Sequence, residues 1–323
     1  MMIGGFLGAG KTTTIGKLAA RYVAAGNNVA LVTNDQAYDL VDTHRLRSQG
    51  FQVGEVPGAC FCCKFDDLIE TVGSMSAETI PDIVIAEPVG SCTDLVATVI
   101  QPMQELFGDR FELGPLAVLL KPNHGKRILA EQQGKGFSPK AEYIFLKQLE
   151  EADIIAVNKI DGLTVEAQAE LLSLVKKRFP DKDCFGISAK TEVGFDQLVA
   201  ALAAEPVKRN AALEMDYEIY AQGEAELGWL NCQVSVKATD KFALDDLVLA
   251  LVQQIGQQLA GGDQEVAHLK VLGQTLHDSA VANLVGSNVE AELSLASEIK
   301  TAQADLLINA RVATSPERLE NVV

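Results

Sequence analysis

The stretch "GFLGAGKT" (Gly5–Thr12) constrains this chain more than any other part of it. It fits G-x-x-x-x-G-K-[ST] in full, a pattern that works as a loop between a β-strand and the first turn of a helix. In that setting the backbone N–H groups of Gly8, Ala9, Gly10 and Lys11 point inward around a phosphate. Glycine at 8 and 10 lets the backbone approach without a Cβ in the way. Lys11 neutralises the β/γ-phosphates, and Thr12, with Thr13 beside it, places its hydroxyl on Mg²⁺. The helix N-terminus adds its partial positive charge. The strand before the loop is short, about Met1–Gly4.

The first 205 residues alternate two patterns. β-branched runs recur at 28–35, 81–90, 116–120, 152–161 and 184–190, and helical stretches such as 11–25 and 165–179 lie between them. Such alternation predicts a mostly parallel sheet covered on both faces. The strands read as continuous apolar runs, as strands buried on both sides do. The expected fold class is therefore α/β, a doubly wound P-loop core over residues 1–205. Beyond residue 205 the alternating segments "CQVSVKA" and "VEAELSLA" and a helix over 244–259 predict a smaller α+β domain, 206–323, with an antiparallel sheet. Thr314 and Glu317 offer a capping box for a last helix. Residues 121–137 are polar and glycine-containing and read as a surface loop. A helix then begins at Ser138-Pro139.

Two further motifs narrow the ligand. "NKID" (Asn158–Asp161) ends a strand, where Asp161 can accept from guanine N1–H and its exocyclic amine. Lys159 can lie along the base, and Asn158 can tie this loop to the phosphate loop. Adenine would leave the carboxylate unpaired, a costly arrangement. "SAK" (Ser188, Ala189, Lys190) follows the next strand, and the Ala189 N–H can meet guanine O6. GTP is the expected nucleotide. Glu87 ends an apolar strand and can reach the Mg²⁺ shell or an attacking water. Gly90 can sense the γ-phosphate through its N–H, and Asp35 is a further Mg²⁺ candidate. Catalysis would rest on Lys11, Thr12 and Glu87, by positioning and charge neutralisation.

"GACFCC" places Cys60, Cys62 and Cys63 between the segment after Asp35 and the strand ending in Glu87. The C-x-C-C spacing differs from the C-x-x-C of zinc ribbons and thioredoxin-like sites. Three thiolates, with Glu55 as a possible oxygen ligand, make an open site for a soft divalent metal. Zinc is favoured; cobalt, nickel and iron also fit. A redox switch and plain core packing remain alternatives. Cys92, Cys184 and Cys232 stand apart and read as packing residues, and His44 is an outlying ligand candidate.

Formal net charge is −17, which opposes nonspecific nucleic-acid binding. No apolar run reaches membrane-spanning length, and no secretory signal is apparent, so a cytoplasmic protein with no membrane partner is expected.

Taken together, Gly4–Thr13, "TND" (Thr33–Asp35), "GACFCC", "EPVG" (Glu87–Gly90) and "NKID" resemble the CobW-type metallochaperone GTPases, relatives of HypB and UreG. The resemblance implies GTP-driven handling of zinc, cobalt, nickel or iron for a client metalloenzyme. It also implies a GTPase core with a smaller C-terminal domain. A second copy of the chain is a candidate partner. Two rival readings stand beside this one. The first is a GTPase chaperone for a cofactor-dependent enzyme, such as a corrinoid enzyme, with no free metal carried. The second is a P-loop kinase or ligase, against which NKID and SAK speak.

Overall fold

The computed structural model describes residues 1–35, 41–57, 60–61, 64–75, 80–130, 137–204, 214–260, 265–286 and 289–323. The chain divides into two compact units, one holding most residues up to Tyr220 and the other holding Ala221–Val323. The expected boundary at 205/206 lies outside the described residues.

Seven strands form the sheet of the first unit: β1 (Met2–Gly5), β2 (Val29–Asp35), β3 (Gln52–Pro57), β4 (Ile83–Glu87), β5 (Leu116–Leu120), β6 (Ile154–Val157) and β7 (Asp183–Gly186). Their order is β3-β2-β4-β1-β5-β6-β7, and every pairing is parallel. β1, β5 and β6 are buried at every residue, because helices cover both faces. Helix α1 (Lys11–Ala24) packs Ile15, Leu18 and Ala19 onto Ile3, Leu31 and Ile85. β1 sits centrally, with β4 on one side and β5 on the other. In such sheets ligands bind beyond the carboxyl ends of the strands, where the strand order reverses.

Two parts of this unit differ from the sequence expectation. The edge strand β3 was not anticipated, since Gly54 interrupts its short apolar pattern. The structure explains the glycine: a Cβ there would meet Thr71 Cγ2 at 2.4 Å and Met75 Sδ at 2.7 Å. Helix Phe65–Met75 therefore lies almost on the strand backbone. The polar stretch after Leu120 is no surface loop in its first part. Pro122–Leu129 is a helix with proline in its first turn, and it buries Pro122, His124, Gly125 and Ile128.

The second unit is antiparallel throughout. Its strands are β8 (Gly228–Ala243), β9 (Val266–Gln274), β10 (Ser279–Leu284), β11 (Glu292–Leu295) and β12 (Lys300–Val312), in the order β11-β10-β9-β12-β8. Helix Leu244–Ala260 covers one face with Leu244, Val248, Val252, Ile255 and Leu259, a 3.6-residue stripe. Asp245 in its first turn accepts from the Ser297 N–H and hydroxyl and from the Glu298 N–H. Arg311 is fully buried on β12. Its guanidinium stacks 3.4 Å from the Trp229 ring, donates to Leu227 O and pairs with Glu224 at 3.2 Å. The last helix, Pro316–Val322, is capped by Ser315, whose hydroxyl accepts from Arg318 N–H at 3.4 Å. The cap therefore sits one residue past the expected Thr314, because Pro316 takes the first helical position.

Candidate functional site

The site grows from the turn between β1 and α1. Gly10 is the N-cap of α1 and holds φ +93, a left-handed conformation open to glycine at little cost. A Cβ at Gly10 would also lie 2.5 Å from Asn158 Nδ2, so the loop has no room for one. Gly8 is left-handed too, at φ +74. Lys11 and Thr12 are both buried at the head of α1, and Thr13 is half-buried. The Lys11 ammonium donates to Gly5 O at 3.1 Å and lies 4.0 Å from Glu87 Oε1. The Thr12 hydroxyl donates to the same Glu87 oxygen at 3.0 Å. A buried carboxylate, hydroxyl and ammonium thus converge where the motif places Mg²⁺ and the terminal phosphates. Gly90 packs against them, since a Cβ there would meet Leu7 Cδ2 at 2.7 Å and Lys11 Nζ at 3.0 Å.

The loop beyond Gly90 is held from outside the motifs. Gln148, on helix Pro139–Glu151, donates to Gly90 O at 3.1 Å and to Cys92 O at 2.7 Å. One turn on, Glu151 accepts from Thr93 Oγ1 and from Val96 N–H, both at 3.2 Å. Burial pushes the Glu151 carboxyl up to about 7, with the nearby Asp94 charge adding to the rise and its hydrogen bonds opposing it. Asp94 has φ +61 and accepts from the Tyr217 hydroxyl. Nothing in the sequence pointed to Gln148 or Glu151, because their partners are 55 or more residues away.

On the opposite flank the base-reading loop is joined to the phosphate loop by one side chain. Asn158 donates from Nδ2 to Ala9 O at 2.8 Å, and its Oδ1 accepts from Lys159 N–H at 2.8 Å and Ala189 N–H at 3.0 Å. Lys159 stands at φ +62. Asp161 is exposed, and its Oδ1 accepts from the Ser188 hydroxyl at 2.6 Å. Lys190 is exposed. The Ala189 N–H, expected to meet guanine O6, donates to Asn158 in this structure. A base carbonyl would have to share that donor or displace the asparagine oxygen.

Only part of the expected metal site falls among the described residues. Cys62, Cys63 and the side chains of Asp35 and His44 lie outside them. Cys60 is half-buried and disulfide-bonded, so ligation by its thiolate requires reduction first. Glu55 on β3 faces Arg47 at 3.8 Å. Among the described residues, no three His, Cys, Asp or Glu side chains are grouped to hold a metal. The segment itself is anchored. Phe61 is fully buried, and its N–H donates to Asn34 Oδ1 at 2.9 Å. Asn34 Nδ2 donates in turn to Val56 O at 2.7 Å. Asn34 is the middle residue of the TND motif, and its bonds to Val56 and Phe61 give it a role that the motif alone does not assign.

Among the described residues no helix is long and apolar enough to cross a membrane. In comparison with curated proteins, the chain is 30% identical over 174 residues to the zinc chaperone YeiR of Escherichia coli (strain K12). That match covers 53% of this chain and 49% of the relative, so the chain spans about half the length of the protein it matches. Among solved structures, HypB from Archaeoglobus fulgidus, a hydrogenase maturation factor, is 17% identical, with a TM-score of 0.42. It covers 62% of this chain and 85% of its own. The Zn(II)-bound YjiA GTPase of E. coli is 14% identical, with a TM-score of 0.43, and covers 99% of this chain and 96% of its own. Both are likenesses in outline. The family described as CobW/HypB/UreG, nucleotide-binding domain, matches residues 1–185, from the phosphate loop through the base-reading loop into β7. With more than half of its length so matched, the chain belongs to the CobW/HypB/UreG family.

Proposed function

We propose that this protein binds and hydrolyses GTP and carries a divalent metal, zinc first, for delivery to a client metalloenzyme. The observation that carries the nucleotide half is Asn158, which ties the phosphate loop to both base-reading loops. A site built this way is shaped for a purine nucleotide before one arrives. Asp161, oriented by Ser188, would accept from guanine. The residues present fit the triphosphate and its Mg²⁺. Lys11 supplies charge, Thr12 and Glu87 supply oxygen ligands, and Gly10 and Gly90 keep the walls open. Lys11, Thr12 and Glu87 are the catalytic group, and Gly90 offers its N–H to the terminal phosphate. Bound Mg²⁺ supplies charge neutralisation at the transferring phosphoryl group. No arginine finger is evident by motif, so turnover without a partner is slow.

The metal half rests on Cys60, Cys62 and Cys63, whose thiolates suit zinc and, after it, cobalt, nickel or iron. The name of the curated relative, a zinc chaperone, supports this reading. Asp35 and Glu55 are candidate oxygen ligands, Asp35 for Mg²⁺ and Glu55 for the cargo metal. The domain split at 205/206, the cytoplasmic location and a homodimer belong to the same proposal.

Two measurements test it. Competition binding should favour GTP over ATP at least a hundredfold, the range set by leaving a buried polar group unpaired. Equal affinities would sink the guanine assignment. Lys11→Ala should abolish GTP hydrolysis and leave the nucleotide-free melting temperature close to that of the parent. Normal hydrolysis by that variant would remove Lys11 from the catalytic group.

A further inference from the structure

The stretch that carries Gly90 runs from Pro88 to Cys92, and the chain is fixed on either side of it. Before it, β4 is paired with β1 at Ala86 and with β2 as far as Glu87. After it, Glu151 accepts from Thr93 and Val96, and Asp94 accepts from the Tyr217 hydroxyl. Between these anchors the backbone makes one turn, closed by the Cys92 N–H donating to Val89 O at 3.0 Å. In a trans peptide the C=O and the N–H point opposite ways. The Gly90 N–H shares its peptide with Val89 O, so the closing bond of the turn aims that N–H outward. Gly90 itself lies beside the ammonium of Lys11, since a Cβ on it would meet Nζ at 3.0 Å. Gln148 spans this turn. It is only 2% exposed, and its Nε2 donates to Gly90 O at 3.1 Å and to Cys92 O at 2.7 Å. An amide nitrogen carries two hydrogens, one for each carbonyl. The Gln148 Oε1 is buried without a partner among the described residues, so the two donors are what this side chain contributes.

We infer that Gln148 is a positioning residue for GTP hydrolysis, holding the turn at Gly90 so that the Gly90 N–H faces the terminal phosphate. The inference rests on the reading of Gly90 as the donor to that phosphate. A donor stabilises developing charge best when it already stands in place and need not turn during the reaction. Glycine is the residue least able to hold its own peptide planes, because it has the widest choice of backbone angles. Gln148 removes that freedom from outside. Its planar amide ties the peptides after Gly90 and after Cys92 to helix Pro139–Glu151, and neither can rotate without breaking a buried hydrogen bond. GDP lacks the phosphate that this N–H would meet, so the role of Gln148 is confined to the triphosphate.

The test is equilibrium binding of GDP and of a non-hydrolysable GTP analogue, both with Mg²⁺, together with GTP hydrolysis at saturating substrate. The proteins are the parent, Gln148→Leu, Gln148→Met and Gly90→Ala. Gln148→Leu fills a similar volume and has no donor. It should bind GDP within about threefold of the parent and the analogue at least about tenfold more weakly. Its kcat should fall at least about tenfold, the scale of a buried carbonyl left unpaired. General damage to packing would weaken both nucleotides together and would not give that split. If Gln148→Leu does not fold, Gln148→Met, unbranched like glutamine, carries the test with the same expected split. Gly90→Ala places a Cβ beside Lys11 Nζ and checks the underlying reading; it too should lose the analogue more than GDP. A folded Gln148 variant that keeps the parent's affinities and kcat, or that weakens both nucleotides equally, overturns the role of Gln148. If Gly90→Ala shows the split in the same experiment, the reading of Gly90 stands without it. A Gly90→Ala protein with the parent's affinities and rate overturns that reading, and the role of Gln148 with it.

Discussion

Asn158 follows β6 and Asn34 lies near the end of β2, each strand being the second from its edge of the sheet. Both asparagines are buried, and both use the whole carboxamide to bind backbone groups of neighbouring segments. They differ in what they join. Asn158 binds three backbone groups, all in loops that the motifs mark as nucleotide-binding. Asn34 reaches Val56 O in a plain edge strand and the Phe61 N–H in the cysteine segment. The same chemistry therefore shapes the proposed nucleotide pocket on one flank and tethers a proposed cargo site on the other.

The largest expected effect separates these two roles. Asn158→Ala leaves two buried backbone groups, Ala9 O and Ala189 N–H, without their partner, each worth about 1–3 kcal/mol, and the half-buried Lys159 N–H as well. GTP affinity should fall at least a hundredfold, while cobalt affinity without nucleotide stays at the parent value. Calorimetric titration of both ligands checks this. A matching fall in cobalt affinity would show that the two flanks are not independent.

A carboxylate in a similar holding role should behave differently, because it titrates. Glu151 binds the loop beyond Gly90 as the asparagines bind theirs, and burial raises its folded pKa from 4.5 to about 7. The folded state then keeps a proton that the unfolded chain releases. Its contribution to stability is complete below 4.5 and falls as pH rises to about 7, by at most about 3 kcal/mol. Glu151→Gln should flatten that part of the stability profile. Denaturant melts across the interval decide, and a parent profile that is already flat would refute the assignment.

A smaller effect tests the base side alone. Ser188→Ala removes the hydroxyl that orients Asp161 and should weaken GTP about tenfold, or about 1.4 kcal/mol, with little change in metal binding. Equilibrium binding of a fluorescent guanine nucleotide measures it. Smallest of all, Glu192→Gln removes part-exposed pairs with Lys17 and Arg21 and should cost no more than about 1 kcal/mol, less in high salt. A larger loss in its thermal melt would mean that the paired carboxylate is worth more than its part-exposed setting suggests.

How much of this was legible follows from the same contrast. The phosphate loop, NKID and SAK could be read because their chemistry lies within a few consecutive residues. Strands β2, β4, β5, β6 and β7 could be read because burial on both faces writes a continuous apolar run. β3 escaped because an edge strand needs less apolar sequence, and Gly54 answers to a helix lying over it. Pro122–Leu129 escaped because a two-turn helix with one buried face and an internal glycine looks polar. The holding roles of Asn34, Gln148 and Glu151 escaped for a deeper reason. Their partners are 22 to 58 residues away, and a lone amide or carboxylate in a sequence does not announce which backbone it will reach.

The Arg311–Trp229 stack has a practical consequence. Trp229 is the chain's single tryptophan, and it belongs to the second unit. Its indole sits 3.4 Å from a buried guanidinium, a setting that unfolding replaces with water. Intrinsic fluorescence at tryptophan wavelengths therefore reports on the antiparallel unit alone, while circular dichroism sees the helices of both. Melting curves that coincide by the two probes would make the units one cooperative block; curves that separate would give each its own transition without any label being introduced.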